Sequence, residues 1–249
     1  MNDMHEYLLA LADDELILGH RDSEWCGQAP ILEEDIAFAN LALDEIGHAN
    51  LWYGLLAEIE GQDPLEYADQ LVFNREPEGY RNIQLVEVPN GDWAFTILRQ
   101  YLFDAAELVR LGALSQSQHI SLAGVAAKIV KEERYHHRHT SAWVRRLGLG
   151  TDESQRRMQN ALDELWPYTG EIFSGVEGGS DLVSAGIVPD PGSVHSVWLA
   201  RVSPFLQESS LRMPGEPLQA LRRQEHTPHL KVLLSEMQSV ARSELGAQW

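Results

Sequence analysis

The chain has 249 residues, 44% hydrophobic and 23% charged, a globular composition with enough length to bury a sizeable core. Its 19 Lys and Arg stand against 38 Asp and Glu, and the formal charge of −19 opposes binding to nucleic acid or to an anionic membrane surface. A single cysteine, Cys26, excludes an intrachain disulfide. The start Met1-Asn2-Asp3-Met4-His5-Glu6 lacks the layout of a signal peptide, and no stretch approaches the ~20 apolar residues of a membrane span, so the cytoplasm is the expected compartment.

In chain order, Met4, Leu8, Leu11 and Leu18 recur with the 3–4 spacing of a helix over about 4–22, and Glu15 falls in the same series. Asp14 lies one position off that phase and Asp13 two; either could take the place of Glu15 if the helix rotates. Gly27 and Pro30 stop this helix. A second helix is expected over about 31–60, ending at Gly61, with Phe38, Leu41, Glu45, His48, Trp52 and Leu55 on one stripe. Residues 61–92 carry Pro64, Pro77, Pro89 and Asn90-Gly91 and read as a long connection with a short helix near 65–71. A third helix, about 93–115, sets Ile97, Tyr101, Leu108 and Leu111 on one face with Asp104 at its centre. The fourth, about 122–147, aligns Leu122, Ala126, Ile129, Glu133, His136, Thr140 and Trp143 and ends at Gly148-Leu149-Gly150.

Thr151-Asp152-Glu153-Ser154 offers N-cap chemistry for a fifth helix to about 173. The stretch from Ser174 to Ser180 reads as a loop, followed by helices over about 193–211, bent at Pro204, and 229–244. No strand alternation or internal repeat is present. The expectation is one all-α domain over 1–249, with a bundle core at about 4–147 and extra helices at about 151–244.

A carboxylate in the middle of a core stripe must be paired, protonated or metal-bound to offset its desolvation. Glu45 with His48, and Glu133 with His136, are Glu-x-x-His pairs, and three residues advance a helix by roughly 300°, so each pair shares one face. Taken by helix, the inward groups are Glu15, then Glu45 and His48, then Asp104, then Glu133 and His136. That order matches the ferritin-like four-helix carboxylate bundles that hold two iron or two manganese ions. The same groups could instead satisfy one another as a metal-free polar network.

Other motifs carry less. Cys26 has no base at a recognisable spacing and is expected to be a small buried hydrophobe. In His136-His137-x-His139 only His136 is in phase with Glu133, and the remainder reads as a solvated face. The pairs Arg145-Arg146, Arg156-Arg157 and Arg222-Arg223 read as surface charge, with a phosphate or an acidic partner as the alternative. Gly148-x-Gly150 follows a helix and is no nucleotide loop.

Ser23-Glu24-Trp25-Cys26-Gly27, Val88-Pro89-Asn90-Gly91-Asp92-Trp93-Ala94 leading to Arg99-Gln100-Tyr101, Lys131-Glu132-Glu133-Arg134-Tyr135-His136, and Glu236-Met237-Gln238 near the terminal Gln248-Trp249 span essentially the whole chain. In these segments the sequence resembles the C-subunit family of phenylacetyl-CoA epoxidase, the multicomponent oxygenase of aerobic phenylacetate degradation. The resemblance implies a ferritin-like bundle that pairs with a homologous catalytic A subunit, which holds the di-iron centre and epoxidises the aromatic ring of the CoA ester. It further implies a reductase subunit supplying electrons from NADPH, and a C subunit that is structural with a degenerate metal site. This chain departs from that degenerate pattern by keeping both Glu-x-x-His pairs.

Three readings follow. The first is a structural, non-catalytic subunit that helps shape an acyl-CoA site at an interface. The second is a self-sufficient di-iron or di-manganese oxidase or oxygenase using Glu15, Glu45, His48, Asp104, Glu133 and His136. The third is a bundle that binds an acyl-CoA without metal or redox chemistry.

Overall fold

The computed structural model describes residues 2–215 and 222–243, and among them every regular element is helical. The core is built by four long helices: α1 (Asn2–Ser23), α2 (Leu32–Glu60), α5 (Trp93–Leu114) and α6 (Ile120–Gly148). Helix α1 pairs with α2 and α5 with α6, while α2 meets α6 across the bundle. The crossover between α2 and α5 contains α3 (Pro64–Phe73), a 3-10 turn at Pro77–Gly79 and the single turn α4 (Gln84–Glu87). Its proline-rich sequence breaks the chain into short pieces, and the apolar run at 85–86 is buried as α4.

The helix boundaries follow local chemistry. Gly61 ends α2 in the left-handed conformation, φ 67°, and its N–H closes on the last carbonyls. Asp63 caps α3 ahead of Pro64, Asp92 caps α5, and Thr151 forms a capping box with Ser154 at the start of α7 (Asp152–Leu165). The fifth helix does not run to 173 as an α-helix. Pro167 cannot donate to the preceding turn, and residues Trp166–Phe173 continue as a 3-10 helix. The expected loop near 174–180 gives way to a short helix, α8 (Gly179–Ser184), entered through Gly178 at φ 75°. Helix α9 (Pro191–Glu208) carries Pro204 internally, and α10 (Pro228–Met237) and α11 (Ser239–Ser243) follow. The expected end of the last helix at 244, and the terminal Gln248-Trp249, lie outside the described residues.

The buried apolar side chains form one contiguous cluster contributed by the long helices and by α7, α9 and α10. Trp25, Phe38 and Trp143 each contact the Trp93 ring, tying the α1–α2 connection to α2, α5 and α6. Two glycines permit close approach of neighbouring elements. A Cβ on Gly19 would lie 3.0 Å from the Glu45 Cβ, and one on Gly148 would overlap the Ser209 carbonyl oxygen.

Three expectations about isolated residues are corrected. Cys26 is exposed, because the connection that carries it lies outside the bundle. Arg223 is buried and donates to Asp14 at 2.9 Å, so the Arg222-Arg223 pair is not simply surface charge. His137 and His139 are half-buried rather than solvated, His137 against the Tyr101 ring and His139 bonded to Glu34 at 2.9 Å.

Candidate metal centre

Helix α1 is enclosed on nearly all sides, so its three successive carboxylates, about 100° apart, are all buried and meet different neighbours. Asp13 accepts from Arg75 at 2.6 Å and from the Tyr53 hydroxyl at 2.5 Å. Asp14 accepts from Arg223 and from the Ile83 N–H at 2.8 Å, and burial raises its pKa even against that guanidinium. Glu15 alone turns toward α2 and α6. Asp14, the alternative on α1, is engaged by Arg223 and is not among the clustered groups.

Glu15, Glu45, His48, Asp104, Glu133 and His136 are brought together, each 0 or 1% exposed. Ligand atoms of Glu15, Glu45, His48 and Glu133 lie within 4.8 Å of one another, as do those of Glu45, Asp104 and His136, so Glu45 joins two groups. His48 Nδ1 is 3.5 Å from Glu133, 3.7 Å from Glu15 and 3.8 Å from Glu45. His136 Nδ1 is 3.1 Å from Glu133 and 3.4 Å from Glu45. Both imidazoles therefore present Nδ1 inward, with ring centroids 5.8 Å apart.

The outer nitrogens are held crosswise. His48 Nε2 of α2 bonds Glu132 of α6 at 2.8 Å, and His136 Nε2 of α6 bonds Asp44 of α2 at 3.2 Å. A carboxylate behind each imidazole fixes the tautomer with Nε2–H outward and leaves the Nδ1 lone pair free to face a cation, the arrangement common behind metal-bound histidines. Sequence reasoning passed over Asp44 and Glu132. Their signal was position: each directly precedes the glutamate of its Glu-x-x-His pair, about 100° around the helix.

The two groups differ in how their oxygens are satisfied. Gln100, one turn before Asp104, donates to Asp104 Oδ1 at 2.9 Å and to Glu45 Oε1 at 2.7 Å, and Thr140 donates to Asp104 Oδ2 at 2.8 Å. In the other group both Glu15 oxygens, Glu45 Oε2, Glu133 Oε2 and His48 Nδ1 have no hydrogen-bond partner among the described residues. Buried acceptors without donors are costly, roughly 1–3 kcal/mol each, so they require protons or a cation. The residues thus fit an oxygen- and imidazole-preferring ion at Glu15, Glu45, His48 and Glu133, and the Gln100 amide takes up acceptor capacity at the Asp104 end. Gln100 lies in the Arg99-Gln100-Tyr101 segment that carries the family resemblance, but its only signal for this contact was its i, i+4 relation to Asp104.

In the absence of a cation, protons do this work. Burial and the neighbouring carboxylates hold Glu15 and Asp104 well above the usual carboxylate range and raise Glu133. Burial also opposes ionisation of Glu45, but the adjacent Glu15 carboxyl and the His136 and His48 imidazoles outweigh it and hold Glu45 well below that range. Burial lowers the His48 pKa, yet Glu45, Glu133 and Glu132 push it up to about 9; His136 is raised further by Glu133, Asp44 and Glu45. A further buried acid on the same face of α5, Glu107, pairs with Arg110, and burial pushes it up to about 7.

The whole chain, residues 1–249, matches the family model described as phenylacetic acid catabolic protein. The chain belongs to this family. Across 253 aligned residues, covering 100% of both chains, it is 41% identical to the C subunit of 1,2-phenylacetyl-CoA epoxidase from Escherichia coli (strain K12). It is also 23% identical over 156 residues to the A subunit of the same epoxidase, covering 62% of this chain and 48% of the relative. Among solved structures it resembles a protein with aldehyde deformylating oxidase activity from Synechococcus, with a TM-score of 0.51, 14% identity, and coverage of 97% of this chain and 93% of that one. That likeness shows the ferritin-like all-helical fold. No described helix of this family member is long and apolar enough to cross a membrane.

Proposed function

We propose that this chain is the C subunit of a phenylacetyl-CoA epoxidase complex, pairing with a homologous A subunit that carries out the epoxidation. The observation that supports pairing is helix α2, which is apolar on both sides. Phe38, Leu41, Trp52 and Leu55 face the core, while Leu32, Ile36, Leu43 and Ile46 lie on the opposite face, 73%, 57%, 67% and 41% exposed. A helix apolar all round is normally buried all round, so the outer row calls for a partner surface. Full-length similarity to the C subunit and partial similarity to the A subunit of one epoxidase support a homologous helical bundle as that partner. In this reading the acyl-CoA substrate and the NADPH-dependent reductase are engaged by the complex, not by this chain alone.

Co-expression with a cognate A subunit tests the pairing. The wild-type chain is expected to co-purify with it, and Ile36→Glu/Leu43→Glu is expected to abolish co-purification while leaving the helical content of the isolated chain unchanged. Failure of the wild-type chain to form a complex, or an undiminished complex with the double variant, would refute the reading.

A second reading is favoured by the orphaned acceptors: the chain itself holds a metal ion on Glu15, Glu45, His48 and Glu133. When bound, iron or manganese there would supply redox and oxygen chemistry. Around it, Glu132 and Asp44 orient the two imidazoles, and the packed helices exclude water. A complex reconstituted with Glu45→Gln/Glu133→Gln separates the roles. Epoxidation is expected to survive if the chain is structural and to fall by orders of magnitude if its own centre does the chemistry.

A further inference from the structure

Away from the metal centre, a partly enclosed cavity of about 440 Å³ lies between α1, the 3-10 segment after α7, α8 and α9, a volume within the range of small-molecule sites. None of the six centre residues lines it. Leu11, Ile172, Val183, Val188 and Val194 make much of its wall, and two guanidiniums, Arg110 and Arg223, also border it. Both arginines are deeply buried, 6% and 7% exposed.

Each guanidinium carries five N–H donors, and the described protein acceptors engage only part of them. Arg110 donates through Nη1 to Glu107 and through Nη2 to the Ile172 carbonyl at 2.7 Å. Arg223 is engaged through Nη1 alone, by Asp14 and by the Arg81 carbonyl at 2.9 Å. Its Nε is buried with no partner among the described residues. Tyr7, also on the wall, lies in the field of Arg110, Glu107 and Arg223, while Asp190 is committed as the N-cap of α9, accepting from Ser193 at 2.8 Å. Spare guanidinium donors beside an apolar wall match a ligand with a planar anionic head and a hydrocarbon body. Glu107 and Asp14 already oppose the two cations, so a singly charged head is accommodated more readily than a phosphate dianion.

We propose that this cavity is a binding site for an apolar monocarboxylate, its carboxylate held by Arg110 and Arg223 and its chain or ring packed on the valine-rich wall. The site is independent of whether the centre holds metal and of whether α2 meets a partner.

Titration calorimetry of the full chain with decanoate and with decan-1-ol tests it. Decanoate is expected to bind about tenfold or more tightly than the alcohol, the difference reporting the charge-assisted contacts. Arg223→Met should erase that preference. Val183→Trp, which fills the cavity and alters neither arginine, should abolish binding of both ligands with helical content unchanged. If Arg223→Met fails to fold, the comparison of the two ligands on the wild-type chain and the Val183→Trp variant still decide. No binding of decanoate, equal affinity for acid and alcohol, or unchanged decanoate binding by a folded Val183→Trp would overturn the proposal.

Discussion

Replacing Glu15 with Gln separates a cation site from a self-satisfied polar network. Both Glu15 oxygens lack a donor, and burial with the neighbouring acids holds its carboxyl well above the usual range, which favours its neutral form in the metal-free protein. Gln keeps that shape and neutrality; the metal-free variant is therefore expected to melt at or slightly above the wild-type temperature. With Mn2+ the two proteins should part. An ion bound only by the folded state at 100 times its Kd stabilises by about 2.7 kcal/mol. For a chain of this size that corresponds to a rise in Tm of roughly 5–10 °C, at about 2–4 °C per kcal/mol. Wild type should show this shift with about one ion per chain, because Gln100 and Thr140 already occupy the acceptors at the Asp104 end. Glu15→Gln should show little or none. Calorimetric scans with and without Mn2+, together with elemental analysis, check both points. A variant that keeps the full shift, a wild type with no shift, or uptake of two ions would refute the reasoning.

Gly148→Ala drives a Cβ into the Ser209 carbonyl oxygen; stability should fall by about 1–3 kcal/mol as the end of α9 is displaced, and an unchanged urea midpoint would contradict the packing. Glu171 is 6% exposed and accepts from the Gln84 N–H at 2.8 Å, and burial pushes its pKa up to about 7. The folded state therefore binds this proton more tightly than the unfolded one, and stability is lost as pH rises from the ordinary carboxylate range through about 7. Glu171→Gln should stabilise by about 1–2 kcal/mol at pH 8, after allowance for screening, and leave stability near pH 4.5 unchanged; parallel wild-type and variant pH profiles would exclude this role. Glu133→Ala, which leaves His48 and His136 without a shared acceptor, should cost about 1–3 kcal/mol in the metal-free protein, measurable by urea denaturation.

The sequence by itself determined the helices of the bundle and the inward set of acids and imidazoles, because both are written in local periodicity. Glu45 with His48 and Glu133 with His136 declare a shared face through spacing alone, and Gly61, Asp92 and Thr151 mark helix ends through conformational preference and capping. Spacing favoured Glu15, in phase with the apolar stripe, but left Asp14 and Asp13 open to a rotation of the helix. On an enclosed helix all three are buried, and the choice falls to distant partners, Arg75 and Arg223, that occupy two of them. The same limit hid the crosswise bonds from His48 to Glu132 and from His136 to Asp44, the Gln100 amide that makes the two ends of the centre unequal, and the burial of Arg223 beside a cavity. Each is a contact between residues far apart in the chain, set by how the helices rotate and approach, and that rotation is decided by the packing of the whole core.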